Sequence, residues 1–150
     1  MERLERAFEN CEKLQRHMHF LLNKGGLYKV YNGNLLYHGC VPLKEDGNLK
    51  SVRIFGRAYK GKGLYEVLES YVRKGFYAMD PKEKERGKDI MWYIWLSENS
   101  PLFGKDKMAT FERYFLAEKE THKEKKNPYY LLLEDEKVVE KTSGKIGLSG

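Results

Sequence analysis

The segment from Tyr31 to Pro42 reads Tyr-Asn-Gly-Asn-Leu-Leu-Tyr-His-Gly-Cys-Val-Pro and carries the most specific local signals in the chain. Its Asn-Gly-Asn sequence favours a tight hairpin turn, and the apolar run after it predicts a short strand that ends at His38. Gly39 leaves space beside the imidazole. A histidine at a strand end is more often a hydrogen-bonded structural residue than a metal ligand or a proton-transfer group, and the residues alone leave these alternatives open.

The composition indicates one globular domain. The chain has 150 residues, of which 41% are hydrophobic and 11 are tyrosines, enough for a single core. Cys11 and Cys40 have no C-x-x-C spacing, so we expect reduced thiols in a cytoplasmic protein. No apolar run is long enough to span a bilayer, and we expect no membrane partner. The net charge of +6 is spread among alternating lysines and glutamates, so it identifies no partner by itself.

Hydrophobic periodicity predicts a mixture of helices and strands. Apolar residues recur every three or four positions from Glu2 to about Asn23, which predicts one amphipathic helix that ends at a left-handed Gly25. Further helices are expected from about Gly63, from Pro81 and from Glu134 to about Thr142. Short strands are expected at 27–31, 35–38, 51–55 and 129–133, a basic loop at 57–62, a helix or strand at 111–115, and a disordered tail at 143–150. The residues expected to face the core are Leu4, Phe8, Cys11, Leu14, Met18, Leu21 or Leu22, Leu64, Val67, Leu68, Tyr71, Val72, Ile90, Met91, Ile94 and Trp95.

Two basic segments could bind an anion. The loop Ser100-Pro-Leu-Phe-Gly-Lys-Asp-Lys107 places a glycine beside two lysines, although it lacks the P-loop pattern. Arg113 lies among aromatic residues that could hold its guanidinium in place. The segment 121–130 combines His122 and several lysines with two tyrosines, but it lacks an RNP, helix-turn-helix or zinc-knuckle pattern. Solvated charged loops remain the simpler interpretation of both segments.

Several segments resemble, in order over about residues 11 to 135, the bacterial class 3 fructose-1,6-bisphosphatases. They are Lys13-Leu-Gln-Arg-His-Met18, Leu35-Leu-Tyr-His-Gly-Cys-Val-Pro-Leu43, Glu45-Asp-Gly47, Met91-Trp-Tyr93, Ser100-Pro-Leu-Phe-Gly-Lys-Asp-Lys-Met108, Thr110-Phe-Glu-Arg-Tyr-Phe115 and Glu120-Thr-His-Lys-Glu-Lys-Lys-Asn-Pro-Tyr-Tyr130. The resemblance implies part of a calcineurin-like metallophosphatase fold, an α+β or α/β arrangement in which helices flank a pair of β-sheets.

The same resemblance implies an internal fragment. The metal-binding motifs of that family run D-x-H, G-D-x-x-D, G-N-H, an H-G segment and a late G-H, and only the fourth matches here, at His38 and Gly39. The other motifs would lie before Met1 and after Gly150, so we expect a single partial phosphatase domain that is inactive alone. An incomplete sheet also predicts self-association through an exposed sheet edge.

The implied chemistry is hydrolysis of the 1-phosphate of fructose 1,6-bisphosphate to fructose 6-phosphate in gluconeogenesis. Two manganese ions would bind the substrate phosphate and activate the attacking water, with His38 as a ligand of one ion. Charge and placement, rather than the resemblance, suggest Lys105, Lys107, Arg113 and His122 as residues that bind the sugar phosphate.

Two other classes of function remain as alternatives. A nucleic-acid-binding module would use Lys60, Lys62, Lys105, Lys107 and Lys123 to Lys126 on one shared face, and its affinity would fall steeply with salt. A noncatalytic interaction module would leave His38 without a chemical role.

Overall fold

The computed structural model describes residues 1–144 and 146, which form a mixed α+β structure with small sheets. The mixed class predicted from periodicity is confirmed. Two short 3-10 helices, Lys119–His122 and Pro128–Leu131, lie between the last two α-helices. The other elements are α1 Glu2–Glu9, α2 Glu12–Lys24, β1 Tyr28–Tyr31, β2 Asn34–Tyr37, β3 Val52–Ile54, β4 Arg57–Tyr59, α3 Lys62–Tyr77, α4 Pro81–Leu96, α5 Thr110–Phe115 and α6 Glu136–Ser143.

The predicted first hairpin is confirmed. Strands β1 and β2 pair antiparallel, with Tyr28 opposite Tyr37 and Tyr31 opposite Asn34. Asn32 and Gly33 have φ values of 54° and 76°, the left-handed pair that a two-residue turn between twisted strands requires. His38 follows the last residue of β2, so the hairpin places it at the end of the strand.

A second hairpin replaces the basic loop expected at 57–62, and that expectation is wrong. Strand β3 lies within the predicted 51–55 segment, but β4 pairs with it antiparallel, with Val52 opposite Tyr59. The chain reverses at Phe55 and Gly56, both with positive φ. The strand was not predicted because Arg57 is charged. In this two-stranded sheet the side chain of Arg57 is exposed to solvent, so a charged residue is compatible with the strand.

The single N-terminal helix expected from Glu2 to Asn23 is wrong, because the chain forms α1 and α2 with a break at Asn10 and Cys11. Asn10 donates its side-chain amide to the carbonyl of Arg6 at 2.8 Å, and Cys11 has an extended ψ of 95°. Within Glu2–Lys24, Leu22 is the one buried residue, so no buried stripe keeps the helix continuous. Gly25 ends α2 with extended rather than left-handed geometry.

Arg73 of α3 joins the end of α2 to the body of the protein. Its guanidinium donates to the carbonyls of Leu22 and Gly25 at 3.1 and 3.2 Å and pairs with Glu69 at 3.1 Å. The other carboxylate oxygen of Glu69 accepts the backbone N–H of Leu27 at 2.6 Å. These bonds satisfy carbonyls that a helix end leaves open.

Helices α3 and α4 form an antiparallel pair at the centre of the molecule. The predicted start of α4 is confirmed: Pro81 occupies its first turn, and the Asp80 side chain accepts the N–H groups of Lys82 and Glu83. The pair packs on β3 in a first core cluster, composed of Val52, Ile54, Leu64, Leu68, Ile90 and Ile94. Met91 and Trp95, expected to face the core, are exposed on the outer side of α4, which corrects that expectation.

Tyr65, also on α3, belongs to a second core cluster together with Val41, Leu43 and Ile146. The strand expected at 129–133 is wrong; the Asn127 side chain accepts the N–H of Tyr129, and Pro128–Leu131 form a 3-10 helix. The last helix is confirmed as α6, and the uncertain segment at 111–115 is helical as α5.

Part of the predicted tail at 143–150 lies within the structure. Ser143 ends α6 and Ile146 is buried, whereas residues 145 and 147–150 lie outside the described residues. No helix in the described part of the chain has the length and apolar character needed to cross a membrane.

Candidate metal-ligand and phosphate site

His38 presents an exposed side chain directly after β2. Among residues 1–144 and 146, no group of three His, Cys, Asp or Glu side chains lies close enough to hold a metal ion. These residues therefore do not form a complete metal site by themselves. The exposed imidazole at the end of β2 is nevertheless suitably placed to be one ligand of a metal site that other residues complete.

The backbone that follows His38 is tightly held. Gly39 has a φ of 90°, and a Cβ there would lie less than 3.0 Å from the carbonyl oxygens of Pro101 and Leu102. Cys40 donates its N–H to Pro101 O at 2.8 Å, and its own carbonyl accepts the Tyr65 hydroxyl at 3.0 Å. Residues 39 and 40 are thus fixed between α3 and the loop that follows α4.

A buried aromatic environment surrounds Cys40. Burial raises the pKa of its thiol to about 12, although a hydrogen bond with Tyr130 opposes the shift. Burial also raises the pKa values of Tyr65, Tyr129 and Tyr130, with a smaller contribution from the nearby Cys40. A thiol with so high a pKa is a poor nucleophile, so Cys40 has a packing role here.

The four proposed phosphate-binding residues lie in one surface cluster around Glu124, although the sequence separates them into three segments. Lys105 Nζ donates to Glu124 Oε2 at 2.8 Å, and Arg113 Nη2 lies 3.4 Å from Oε1. Lys107 Nζ donates to the carbonyl of Thr121 at 2.6 Å, and Arg113 also donates to the carbonyl of His122 at 3.3 Å. We call Lys105, Lys107, Arg113, His122 and Glu124 the cationic cluster.

His122 contributes less to this cluster than its position in the sequence suggested. Its Nε2 donates to the carbonyl of Leu116 at 2.9 Å, which fixes the ring and occupies that nitrogen. In the structure it connects the end of α5 to the 3-10 helix Lys119–His122.

Glu124 balances part of the positive charge of the cluster. Hydrogen bonds from Lys105 and from the N–H of Ala109 hold the pKa of its carboxyl below its ordinary value of 4.5, and the charges of Lys105 and Arg113 add to this effect. Lys105 and Arg113 share this one carboxylate, whereas Lys107 donates to the uncharged carbonyl of Thr121. The cluster keeps an excess of positive charge with unused N–H donors, which suits binding of a phosphate group.

Three residues of this region were not predicted from the sequence. Glu124 lies in a lysine-rich run that is typical of a solvated loop, Asn127 lies directly before Pro128, and Ser100 begins a loop. Asn127 is buried and its side-chain oxygen accepts the N–H groups of Leu43 and Tyr129. Two of these residues have a sequence feature that could have identified them. Asn127 precedes a proline, and Glu124 is the one acidic residue among four basic neighbours, His122, Lys123, Lys125 and Lys126.

Three lysines of the alternative nucleic-acid interface pair with carboxylates within the protein. Lys62 lies 3.8 Å from Glu66, Lys123 lies 2.7 Å from Glu120, and Lys105 pairs with Glu124. Such pairing lowers the charge that each lysine could offer to a phosphate backbone.

Comparison with known proteins places this mixed α+β chain in a class of phosphatases. A family model described as Firmicute fructose-1,6-bisphosphatase matches residues 1–150, and the chain belongs to that family. It is 55% identical over 139 residues to the class 3 fructose-1,6-bisphosphatase of Clostridium botulinum strain Loch Maree. The aligned region covers 92% of this chain and 21% of that protein. It is 56% identical over 137 residues to the enzyme of the same name from Clostridioides difficile strain 630, covering 91% of this chain and 21% of that protein.

The chain thus spans about a fifth of the length of the curated relatives that it matches. No solved structure matches the chain.

Proposed function

We propose that this chain forms part of a fructose-1,6-bisphosphatase that hydrolyses the 1-phosphate of fructose 1,6-bisphosphate to fructose 6-phosphate and phosphate, a reaction of gluconeogenesis. The observation that carries the proposal is the family match over the whole chain, supported by 55% identity to a relative of that name. We place the enzyme in the cytoplasm, where its sugar bisphosphate substrate and reduced thiols would occur.

We further propose which fold the complete domain adopts and which metal ions it binds. The two small hairpins and their flanking helices would belong to a calcineurin-like metallophosphatase sandwich. Two manganese ions would supply charge for phosphate binding and for activation of water. His38 would contribute one neutral imidazole to one ion, and residues other than the described ones would supply the remaining ligands.

The cationic cluster would bind a phosphate of the substrate. Lys105, Lys107 and Arg113 offer charge-assisted hydrogen bonds, and the Glu124 carboxylate keeps Lys105 and Arg113 at defined positions. His122 would assist by holding the end of α5 beside the cluster. The described residues alone would be catalytically silent, because a single histidine cannot hold two metal ions.

The test uses the complete gene product that carries these 150 residues. Phosphate and fructose 6-phosphate are measured during incubation with fructose 1,6-bisphosphate, with Mn²⁺ and after chelation. We expect metal-dependent release of both products. His38→Ala should lower the activity at least about tenfold and reduce the bound manganese, since loss of even an indirect metal partner has an effect of that size.

The control is His17→Ala, which removes an exposed imidazole from α2 and should preserve activity. A wild-type protein that releases no phosphate from this substrate would contradict the proposed reaction. A His38→Ala protein with unchanged activity and metal content would contradict the metal-ligand assignment. Release of phosphate by the 150 residues alone would contradict the prediction that they are inactive.

The free edges of both two-stranded sheets also support self-association of the isolated chain. A steeply salt-dependent affinity for nucleic acid would favour the alternative binding module, but the ion pairs of Lys62 and Lys123 argue against it.

A further inference from the structure

We propose that Ser100 is a positioning residue that fixes the distance between His38 and the cationic cluster. The inference rests on the proposed function, because it assigns His38 to the metal and the cluster to the substrate phosphate. It adds a residue that contacts neither ligand and that acts through the turn Ser100–Gly104.

The Ser100 hydroxyl organises this turn. Ser100 is fully buried, and its Oγ donates to the carbonyl of Ile94 in the last turn of α4 at 2.6 Å. The same oxygen accepts the N–H groups of Leu102 and Phe103 at 3.1 and 3.3 Å. One hydroxyl therefore ties the turn to α4 and orients the peptide groups that follow it.

The turn holds the His38 segment from one side. The carbonyl of Pro101 accepts the N–H of Cys40 at 2.8 Å, and the Ser100 carbonyl lies 3.7 Å from the Cys40 thiol that donates to it. Gly39 is pressed so closely against Pro101 and Leu102 that no Cβ fits there. Because these contacts are made by residues adjacent to His38, a displaced turn moves the imidazole.

The other end of the turn leads into the cationic cluster. Gly104 donates its N–H to the Ser100 carbonyl at 3.1 Å and accepts the N–H of Asn127 at its own carbonyl at 2.9 Å. A Cβ at Gly104 would lie 2.6 Å from Cys40 Sγ, so the two sides of the site touch at this point. The next residue, Lys105, pairs with Lys126 in a β-bridge and with Glu124 through its side chain.

Binding of the substrate would depend on the distance between the two groups that hold it, the metal ion at His38 and the cationic cluster. Loss of the Ser100 hydroxyl removes the bonds that shape the turn, and both the metal ligand and the cluster then lose their fixed position. Small displacements of binding groups have large effects on catalysis. Ser100 therefore governs the metal requirement and the substrate affinity together.

The test compares variants of the complete gene product. In Ser100→Ala we expect the Mn²⁺ concentration for half-maximal activity and the KM for fructose 1,6-bisphosphate each to rise about tenfold. Gly39→Ala, which disturbs the His38 side, should raise mainly the Mn²⁺ requirement. Glu124→Gln, on the cluster side, should change mainly KM. The matched control is Ser70→Ala, an exposed serine of α3, which should leave both constants unchanged.

A merely structural role for Ser100 would lower the fraction of active enzyme, so kcat would fall while both constants stay at wild-type values; that result overturns the inference. An inactive wild-type protein instead overturns the proposed function. A second measurement needs no variant and no activity: amide hydrogen exchange in the wild-type protein. The N–H groups of Cys40, Leu102 and Phe103 should show similar protection factors, and widely different protection factors would overturn the inference as well.

Discussion

Glu124 lies between lysines in the sequence, but its carboxylate is 11% exposed and contacts Lys105, Ala109 and Arg113. Its partners Lys105 and Ala109 are 19 and 15 residues distant along the chain. Local pattern cannot reveal such contacts, because alternating lysines and glutamates are equally typical of a solvated helix face. The individual cations of the cluster were proposed from their charge, whereas the carboxylate that organises them depends on tertiary structure.

Glu124→Gln should lower the free energy of unfolding at pH 7 by about 1 kcal/mol, the usual contribution of one hydrogen bond with a charged partner near the surface. The lowered pKa of Glu124 stabilises the fold above pH 4.5, and this contribution is lost as the pH falls through the folded-state pKa. The variant should therefore lose less stability than the wild type between about pH 5 and pH 3. Urea denaturation across this range measures the difference.

Glu120→Gln is the control for this prediction. Glu120 also pairs with a lysine, but both side chains are largely exposed, so little change is expected at either pH. An identical acid response of the Glu124→Gln and wild-type proteins would contradict the role of Glu124.

The sequence predicts those elements whose boundaries are determined by neighbouring residues. Asp80 and Pro81 mark the start of α4 through local chemistry, and Asn32 and Gly33 do the same for the first hairpin. The failures, at 57–62 and 129–133, are segments whose conformation depends on contacts with other segments. Tyr59 pairs with Val52, and Asn127, which begins the 3-10 helix Pro128–Leu131, accepts the N–H of the distant Leu43.

Gly87→Ala tests the close approach of the two central helices. A Cβ at Gly87 would lie 2.6 Å from the carbonyl oxygen of Tyr71 and against the backbone of Gly75. The clash should lower the free energy of unfolding by about 1–3 kcal/mol, more than the gain of about 1 kcal/mol from replacing a helical glycine with alanine. Denaturant unfolding of the 150-residue chain provides the measurement.

Gly63→Ala is the matched control in the same helix pair. A Cβ at Gly63 meets open space, so this variant should be as stable as the wild type or slightly more stable. Equal stability of the Gly87→Ala variant and the wild type would show that α3 and α4 are not in such close contact.

The molecule as a whole is built from two core clusters that share α3: Leu64 and Leu68 belong to the first cluster, and Tyr65 belongs to the second. The resemblance to a phosphatase family was visible from ordered segments along most of the sequence, and the family match confirms it. The break after α1 and the exposure of Met91 and Trp95 could not be predicted, because periodicity identifies an apolar face without indicating what covers it.

The two cysteines should differ in reactivity because one belongs to the core. Cys11 is partly exposed at the break between α1 and α2, whereas Cys40 is fully buried and burial raises its thiol pKa to about 12. At pH 8, a thiol reagent should modify one cysteine rapidly in the folded chain and the second only after unfolding. Absorbance of the released thiolate measures the two phases.

Cys11→Ser should abolish the rapid phase and leave the slow one. Rapid modification of both thiols in the wild-type protein would contradict the burial of Cys40 between α3 and the Ser100–Gly104 turn.

The outward position of the α4 aromatic residues has a spectroscopic consequence. Both tryptophans of the chain, Trp92 and Trp95, are more than 60% exposed in the folded protein, so their emission should shift little when the chain unfolds. The tyrosines around Cys40 are the better optical reporters of folding, through near-ultraviolet circular dichroism. Tryptophan fluorescence should instead report the binding of any surface that covers the outer side of α4.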